Sequence, residues 1–144
     1  MEVMKAVSES VLHLCDIMGA KLESGKNLGK GVYGSSIPVQ VKGDDGKMTE
    51  YQFYLYFKKG ILKSFAEQLL QSSFTEYDLD DISRELANQI IGYAKNILSD
   101  ANGANIKLGT PEFLGAVERF PIKFTQKEIY KINNRILQIG YKKA

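Results

Sequence analysis

The stretch Leu79-Asp80-Asp81-Ile82-Ser83-Arg84-Glu85-Leu86-Ala87-Asn88-Gln89-Ile90-Ile91-Gly92-Tyr93-Ala94-Lys95-Asn96-Ile97-Leu98-Ser99 is the longest periodic segment of the chain. At about 100° per residue, Leu79, Ile82, Leu86, Ile90, Tyr93, Ala94 and Ile97 gather on one side, which predicts a helix facing a core. Asp78 is the expected N-cap. Asp81, Glu85, Asn88, Gly92, Lys95 and Ser99 fall within about 40° of the opposite direction. A solvated face is normally filled with Lys, Glu and other helix formers. Here its centre holds Asn88 and Gly92, each costing roughly 0.5–1 kcal/mol relative to Ala in a helix interior. Two readings follow. The face is solvated and without purpose, or another molecule approaches it closely where Gly92 removes bulk one turn beyond Asn88.

Working outward, the helix ends at Ala101–Asn105, and β-like texture follows in Ile106–Leu108, Phe113–Val117, Phe120–Phe124 and Lys127–Ile132. Asn133-Asn134 predicts a tight turn into Arg135–Tyr141. Toward the N-terminus, Ile61–Leu70 reads as a short helix with Phe65, Leu69 and Leu70 inward. Ile37, Val39 and Val41 alternate with polar neighbours, and Gly43-Asp44-Asp45-Gly46 is turn chemistry. A hairpin with Tyr51–Phe57 is therefore expected. Pro38 predicts an edge strand or a bulge. The aromatic positions Tyr51, Phe53, Tyr54, Tyr56 and Phe57 serve a core or an interface, with core expected for the alternating half. Gly25, Gly29, Gly31 and Gly34 read as a flexible connection, because neither a preceding strand nor a G-x-x-x-x-G-K-[ST] pattern makes them a phosphate cradle. Glu2 to about Leu22 predicts a first helix on the stripe Val7, Val11, Leu14 and Met18. His13 lies off that stripe as a surface histidine, and Cys15 beside it as a small buried hydrophobe. The sum is one α+β domain spanning 1–144, with two long helices, a short one and largely hairpin-connected strands.

Composition bounds the function. The chain is 44% hydrophobic and 25% charged, which is the globular average and argues against disorder. Nineteen Lys+Arg against seventeen Asp+Glu leave a net charge of +2, too balanced for affinity drawn from nucleic-acid phosphates or an anionic membrane. No apolar run reaches the roughly 18 residues that span a bilayer, and Met-Glu-Val-Met-Lys does not open like a signal peptide. One cysteine and one histidine leave no internal disulfide, no thiolate cage and no His-pair chemistry. The expectation is a reduced, cytoplasmic domain that binds no metal of its own.

The central helix resembles the CheC/CheX/FliY family of chemotaxis phosphatases. Their motif is an Asp or Ser, three residues, Glu, two residues, Asn, twenty-two residues and Pro; Asp81, Glu85, Asn88 and Pro111 meet every spacing. Requiring a Pro at roughly 5% background usage makes a chance match about twentyfold rarer. Glu85-Leu86-Ala87-Asn88, Gly92 and Ala94-Lys95 are similar to the family's helix, and Thr110-Pro111 with Gly115 to its following strand. CheC carries two copies of the motif. This chain has one, since Asp16 and Glu23 of the first helix stand at the wrong spacing, so it resembles the CheX branch.

The resemblance implies a CheC-like fold, a largely antiparallel sheet packed by the helices, and a homodimer joined through sheet edges. It implies hydrolysis of the aspartyl phosphate on a CheY-type response regulator, ending a chemotaxis signal. Asn88 would position the attacking water, and Glu85, one turn away, would pair with a lysine of the partner. Gly92 would permit close approach; Asp81 and Lys95 belong to the same docking face, and Pro111 is structural. Phosphoryl transfer through a loose transition state needs positioning and charge neutralisation more than a strong base, so the scarcity of His and Cys does not argue against an enzyme. The Mg2+ of such a reaction would sit in the partner. The alternative is a catalytically silent adaptor that binds a receiver domain or flagellar switch component through the same face.

Overall fold

The computed structural model describes residues 1–144. In chain order the elements are α1 (Val3–Met18), β1 (Leu22–Ser24), β2 (Val32–Lys42), β3 (Met48–Lys58), α2 (Lys59–Gln68), α3 (Leu79–Asn102), β4 (Asn105–Leu108), β5 (Glu112–Val117), β6 (Gln126–Ile132) and β7 (Arg135–Lys143). Every pairing is antiparallel, in the order β1-β6-β7-β3-β2-β4, with β5 also on β2. The α+β expectation of two long helices, a short one and an antiparallel sheet holds.

Local chemistry explains the elements. Gly46 turns the β2–β3 hairpin at φ +79°, and Asp45 Oδ1 accepts from the Lys47 N–H at 2.9 Å. Asn133 and Asn134 both take left-handed backbone, φ +47° and +69°, the conformation a two-residue hairpin turn requires. The α1 helix stops at Gly19 (φ +65°), short of Leu22, so Leu22–Ser24 is free to pair with β6. In the glycine stretch, Val32 already begins β2 and Gly34 lies inside it; a Cβ there would come within 3.0 Å of Tyr56 and Val117.

Two expectations are corrected. Pro38 marks neither an edge nor the irregularity in β2, which falls between Gly34 and Ser35: β2 has β3 along one side, and β4 and β5 share the other, opposite 39–42 and 32–36 respectively. Pro38 falls in the gap between those two partners, where a missing N–H breaks no ladder bond on that side. Phe120–Phe124 is not a strand. Pro121 interrupts it, and its rings fold over the sheet's outer face, Phe120 5.1 Å from Tyr56 and Phe124 5.8 Å from Tyr54 between centroids.

Twenty-six buried residues form the main core between the helices and the inner sheet face. Phe53, Leu55 and Phe57 point into it, while Tyr56 joins Leu28 and Val32 on the outer face. The aromatic strand thus divides between two packed faces. In α2, Ile61, Leu62, Phe65 and Ala66 are buried, whereas Leu69 and Leu70 follow the helix and are only half-buried. The helices α1 and α3 run antiparallel: the Met1 ammonium reaches Asn102 Oδ1 at 2.6 Å, and the Ser10 hydroxyl donates to the Ile90 carbonyl at 2.6 Å. That second bond is buried and pins α3 from one side while the sheet supports it from beneath.

Candidate functional site

The α3 helix begins from a 3-10 turn, Glu76–Asp78, and ends at Gly103 in left-handed backbone (φ +65°). Asp78 stands at the N-cap position of α3 as expected, but its side chain makes no capping bond to that helix. Its carboxylate turns back to accept from the Thr75 N–H at 2.8 Å and the Thr75 hydroxyl at 3.1 Å, so Thr75 caps the turn ahead of the helix. The buried stripe is Ser83, Leu86, Ala87, Ile90, Ile91, Ala94 and Leu98. It is rotated from the predicted stripe because α3 packs on the sheet and α1 together. Tyr93, expected in the core, emerges at the rim and stacks on His13 of α1 at 4.0 Å, nearly parallel. His13 is exposed as predicted, with this one ring partner.

The predicted site residues occupy the outward side of this helix. Asp81 is exposed and paired with Arg84, whose Nε also donates to Asp80 at 2.6 Å. The Asp80 contact, then Asp81, holds the Arg84 guanidinium above its already high range. Arg84 is absent from the sequence-derived site, although its spacing of three and four from two aspartates is the standard signal for such a pair. Glu85 is half-buried and accepts from Gln89 Nε2 at 3.0 Å, which orients its carboxylate along the helix. Asn88, Gly92 and Lys95 line one open depression of about 350 Å³, together with Tyr93 and with Leu108 of β4. Leu108 is a wall that no sequence pattern links to Asn88, since only the β2–β4 pairing brings it there.

Gly92 is the informative residue. A Cβ there would meet only Leu108 Cδ1, at 3.6 Å, an ordinary contact. The fold has room for a side chain, and helix propensity favours one. Gly109 is the opposite case, with a Cβ forced to 2.4 Å from Pro38 Cγ, so packing alone demands it. Packing within the chain therefore does not require a glycine at 92. Pro111 stands in the 109–111 connection, after the Gly109 N–H to Pro38 carbonyl bond of 2.8 Å, and leads into β5. It shapes the strand pair beside α3 and does not line the depression. No three His, Cys, Asp or Glu side chains are grouped to hold a metal ion, and no helix is long and apolar enough to cross a membrane.

Neither a protein-family model nor a curated protein sequence matches the chain. Solved structures do. The chemotaxis protein CheX from Desulfovibrio desulfuricans is similar over 100% of both chains, with a TM-score of 0.70 and 17% identity. CheX from Borrelia burgdorferi, solved as a CheX–CheY–BeF3–Mg2+ complex, is similar over 99% of this chain and 97% of that one, with a TM-score of 0.62 and 14% identity. FliM from Helicobacter pylori, solved in a FliG–FliM complex, covers 94% and 85% with a TM-score of 0.55 and 13% identity. The resemblance read from Asp81, Glu85, Asn88 and Pro111 therefore meets an independent one in three dimensions: the chain has the fold of the CheX and CheC-like chemotaxis proteins.

Proposed function

We propose that the chain is a CheX-like protein phosphatase of the CheC/CheX/FliY family, a hydrolase acting on the aspartyl phosphate of a CheY-type response regulator in the cytoplasm. One observation carries the reading. The acid and amide of the motif share the outward face of α3 with Gly92, and the fold itself has no need of that glycine.

The chemistry follows from side chains of this type. The Asn88 amide donates through its NH2 to a phosphoryl oxygen and accepts from water through its carbonyl, holding the water in line with the scissile P–O bond. Water oxygen bonds to phosphorus, the aspartyl oxygen leaves as carboxylate, and inorganic phosphate carries the product charge. Glu85, oriented by Gln89, meets a partner lysine as an anchor. Gly92 lets the partner's backbone approach, and Lys95 at the far rim adds a positive charge beside the phosphoryl group. Asp81, neutralised by Arg84, stands further along the docking face. The Mg2+ belongs to the partner's acidic pocket. The Borrelia neighbour was solved as a CheX–CheY–BeF3–Mg2+ complex, which supports a CheY-type partner for this face. We also read the chain as a homodimer through a sheet edge. The β5 strand, with Phe113, Leu114 and Val117 and no buried residue, is the edge suited to it.

The second reading is a binding-only adaptor, favoured by the shared fold of FliM, which was solved bound to FliG. The test is the decay of the phosphorylated response regulator, followed by released phosphate, with this protein at a hundredth of the regulator concentration. Multiple turnovers support the phosphatase. Binding with unchanged decay supports the adaptor.

A further inference from the structure

Tyr77 is 96% exposed, whereas the other large exposed hydrophobic residues lie between 38% and 60%. Nothing in the chain covers its ring, yet the backbone beneath it is firmly held. Thr75 and Asp78 close the turn with bonds of 2.8 and 3.1 Å. Glu76 pairs with Lys59 at the start of α2, and the Lys59 ammonium lies 5.7 Å from the centre of the Tyr33 ring. The 3-10 turn then runs into α3 without a break, Leu79 having helical backbone (φ −51°, ψ −48°). Tyr77, Asp81, Glu85, Asn88 and Gly92 consequently follow one another at steps of four, four, three and four, which is a single helical stripe. At 1.5 Å per residue the stripe is about 22 Å long. That length fits the footprint of an ordinary interface of roughly 800 Å² per partner.

We infer that Tyr77 is a preformed anchor for the receiver domain of the phosphorylated response regulator, seated one turn beyond Asp81 on the motif face. The inference rests on the proposed docking of that domain through Glu85 and Asn88. Charge fixes which part of the partner Tyr77 meets. Glu76, Asp78, Asp80, Asp81 and Glu85 crowd this end of the stripe against Lys59 and Arg84 alone, whereas the other end carries Asn88 and Lys95. The Asn88–Lys95 end suits the acidic, phosphorylated pocket of the receiver. The Tyr77 end suits a basic surface with an apolar shelf for the ring. An aromatic ring on a rigid turn loses few rotamers on binding, which is why tyrosine is common at binding hot spots.

The experiment measures the affinity for the beryllofluoride-activated, Mg2+-loaded receiver, together with KM and kcat on the phosphorylated one, for the full chain and for Tyr77→Ala, Tyr77→Phe and Asn88→Ala. Tyr77→Ala removes an exposed ring and leaves the fold intact. It is expected to raise Kd and KM about tenfold with kcat within about twofold, and Tyr77→Phe to stay within about twofold throughout. An unchanged Kd for Tyr77→Ala overturns the anchor while leaving the phosphatase reading intact, provided Asn88→Ala loses turnover. A fall in kcat at unchanged KM overturns it too, because the ring would then act in the chemistry. If the wild-type chain neither binds nor hydrolyses, the anchor and the reading on which it rests fall together.

Discussion

The α1 and α3 helices are built alike and differ in what their outward faces carry. Both are long, amphipathic and packed antiparallel on the same sheet, and each ends on a left-handed glycine, Gly19 or Gly103. The outward face of α1 carries Lys5, Glu9, His13 and Asp16 with two stray aliphatics, Leu12 and Ile17. No residue on it works against helix formation in a way that needs explaining. The outward face of α3 replaces that generic surface with Glu85, Asn88 and Gly92, and the glycine is not required by any neighbour. Amphipathicity thus tells only that a helix packs. The residues that weaken its exposed side are the ones on which the proposed function rests.

The contrast breaks most visibly if the two outward faces prove interchangeable. Glu85→Ala on α3 is expected to raise KM for the phosphorylated receiver about tenfold or more, the range for losing a charge-assisted contact, while His13→Ala on α1 stays within about twofold. Steady-state kinetics on the two variants decides it.

The next effect belongs to the α1 side of the fold, at Cys15 of α1 and at Tyr130 of β6, which is bonded to Ser8 of α1. Burial raises the Cys15 thiol from 9.0 to about 11, with Asp16 adding to it, and raises Tyr130 from 10.0 to about 12, partly offset by its hydrogen bond to Ser8. The fold holds both groups neutral. Their contribution is therefore complete below about pH 9 and is lost as pH rises through 11 and 12. Unfolding free energies from urea titrations between pH 8 and 12 are expected to fall by something on the order of 2 kcal/mol per group, and Tyr130→Phe to remove its share.

Smaller again is the difference between two buried serines. Ser10 donates to Ile90 across the α1–α3 contact, whereas the Ser35 hydroxyl on the inner face of β2 has no partner. Ser10→Ala is expected to cost about 1–2 kcal/mol by chemical denaturation and Ser35→Ala to be neutral or stabilising. The smallest effect is the sharpest. Gly92→Ala is expected to stabilise the fold by about 0.5–1 kcal/mol and to weaken receiver docking, a change of opposite sign in the two assays.

How much of this was legible in the sequence differs by scale. Helix periodicity, the two hairpin turns and the motif spacing were readable because they depend on local chemistry. Motif residues on one face of one helix come together wherever that helix lies, so Glu85, Asn88 and Gly92 needed no tertiary knowledge. The errors share a cause. Tyr93 left the core because α3 is buried against α1 and the sheet at once, which rotates its stripe. Pro38 sits inside the sheet because β4 and β5 divide one flank of β2, and Phe120–Phe124 covers the sheet where a strand was expected. Leu108 entered the site through strand pairing. Each of these depends on neighbours distant in the chain, which no local pattern reports.

On the proposed reading, the outward face of α3 performs chemistry through the Asn88 amide. Its most direct test measures, for Asn88→Ala beside the wild type, affinity for the beryllofluoride-activated receiver and the rate of phosphate release from the phosphorylated one. An affinity within about twofold and a rate at least about a hundredfold lower are expected, because the amide acts in the transition state. Full turnover by Asn88→Ala would contradict it.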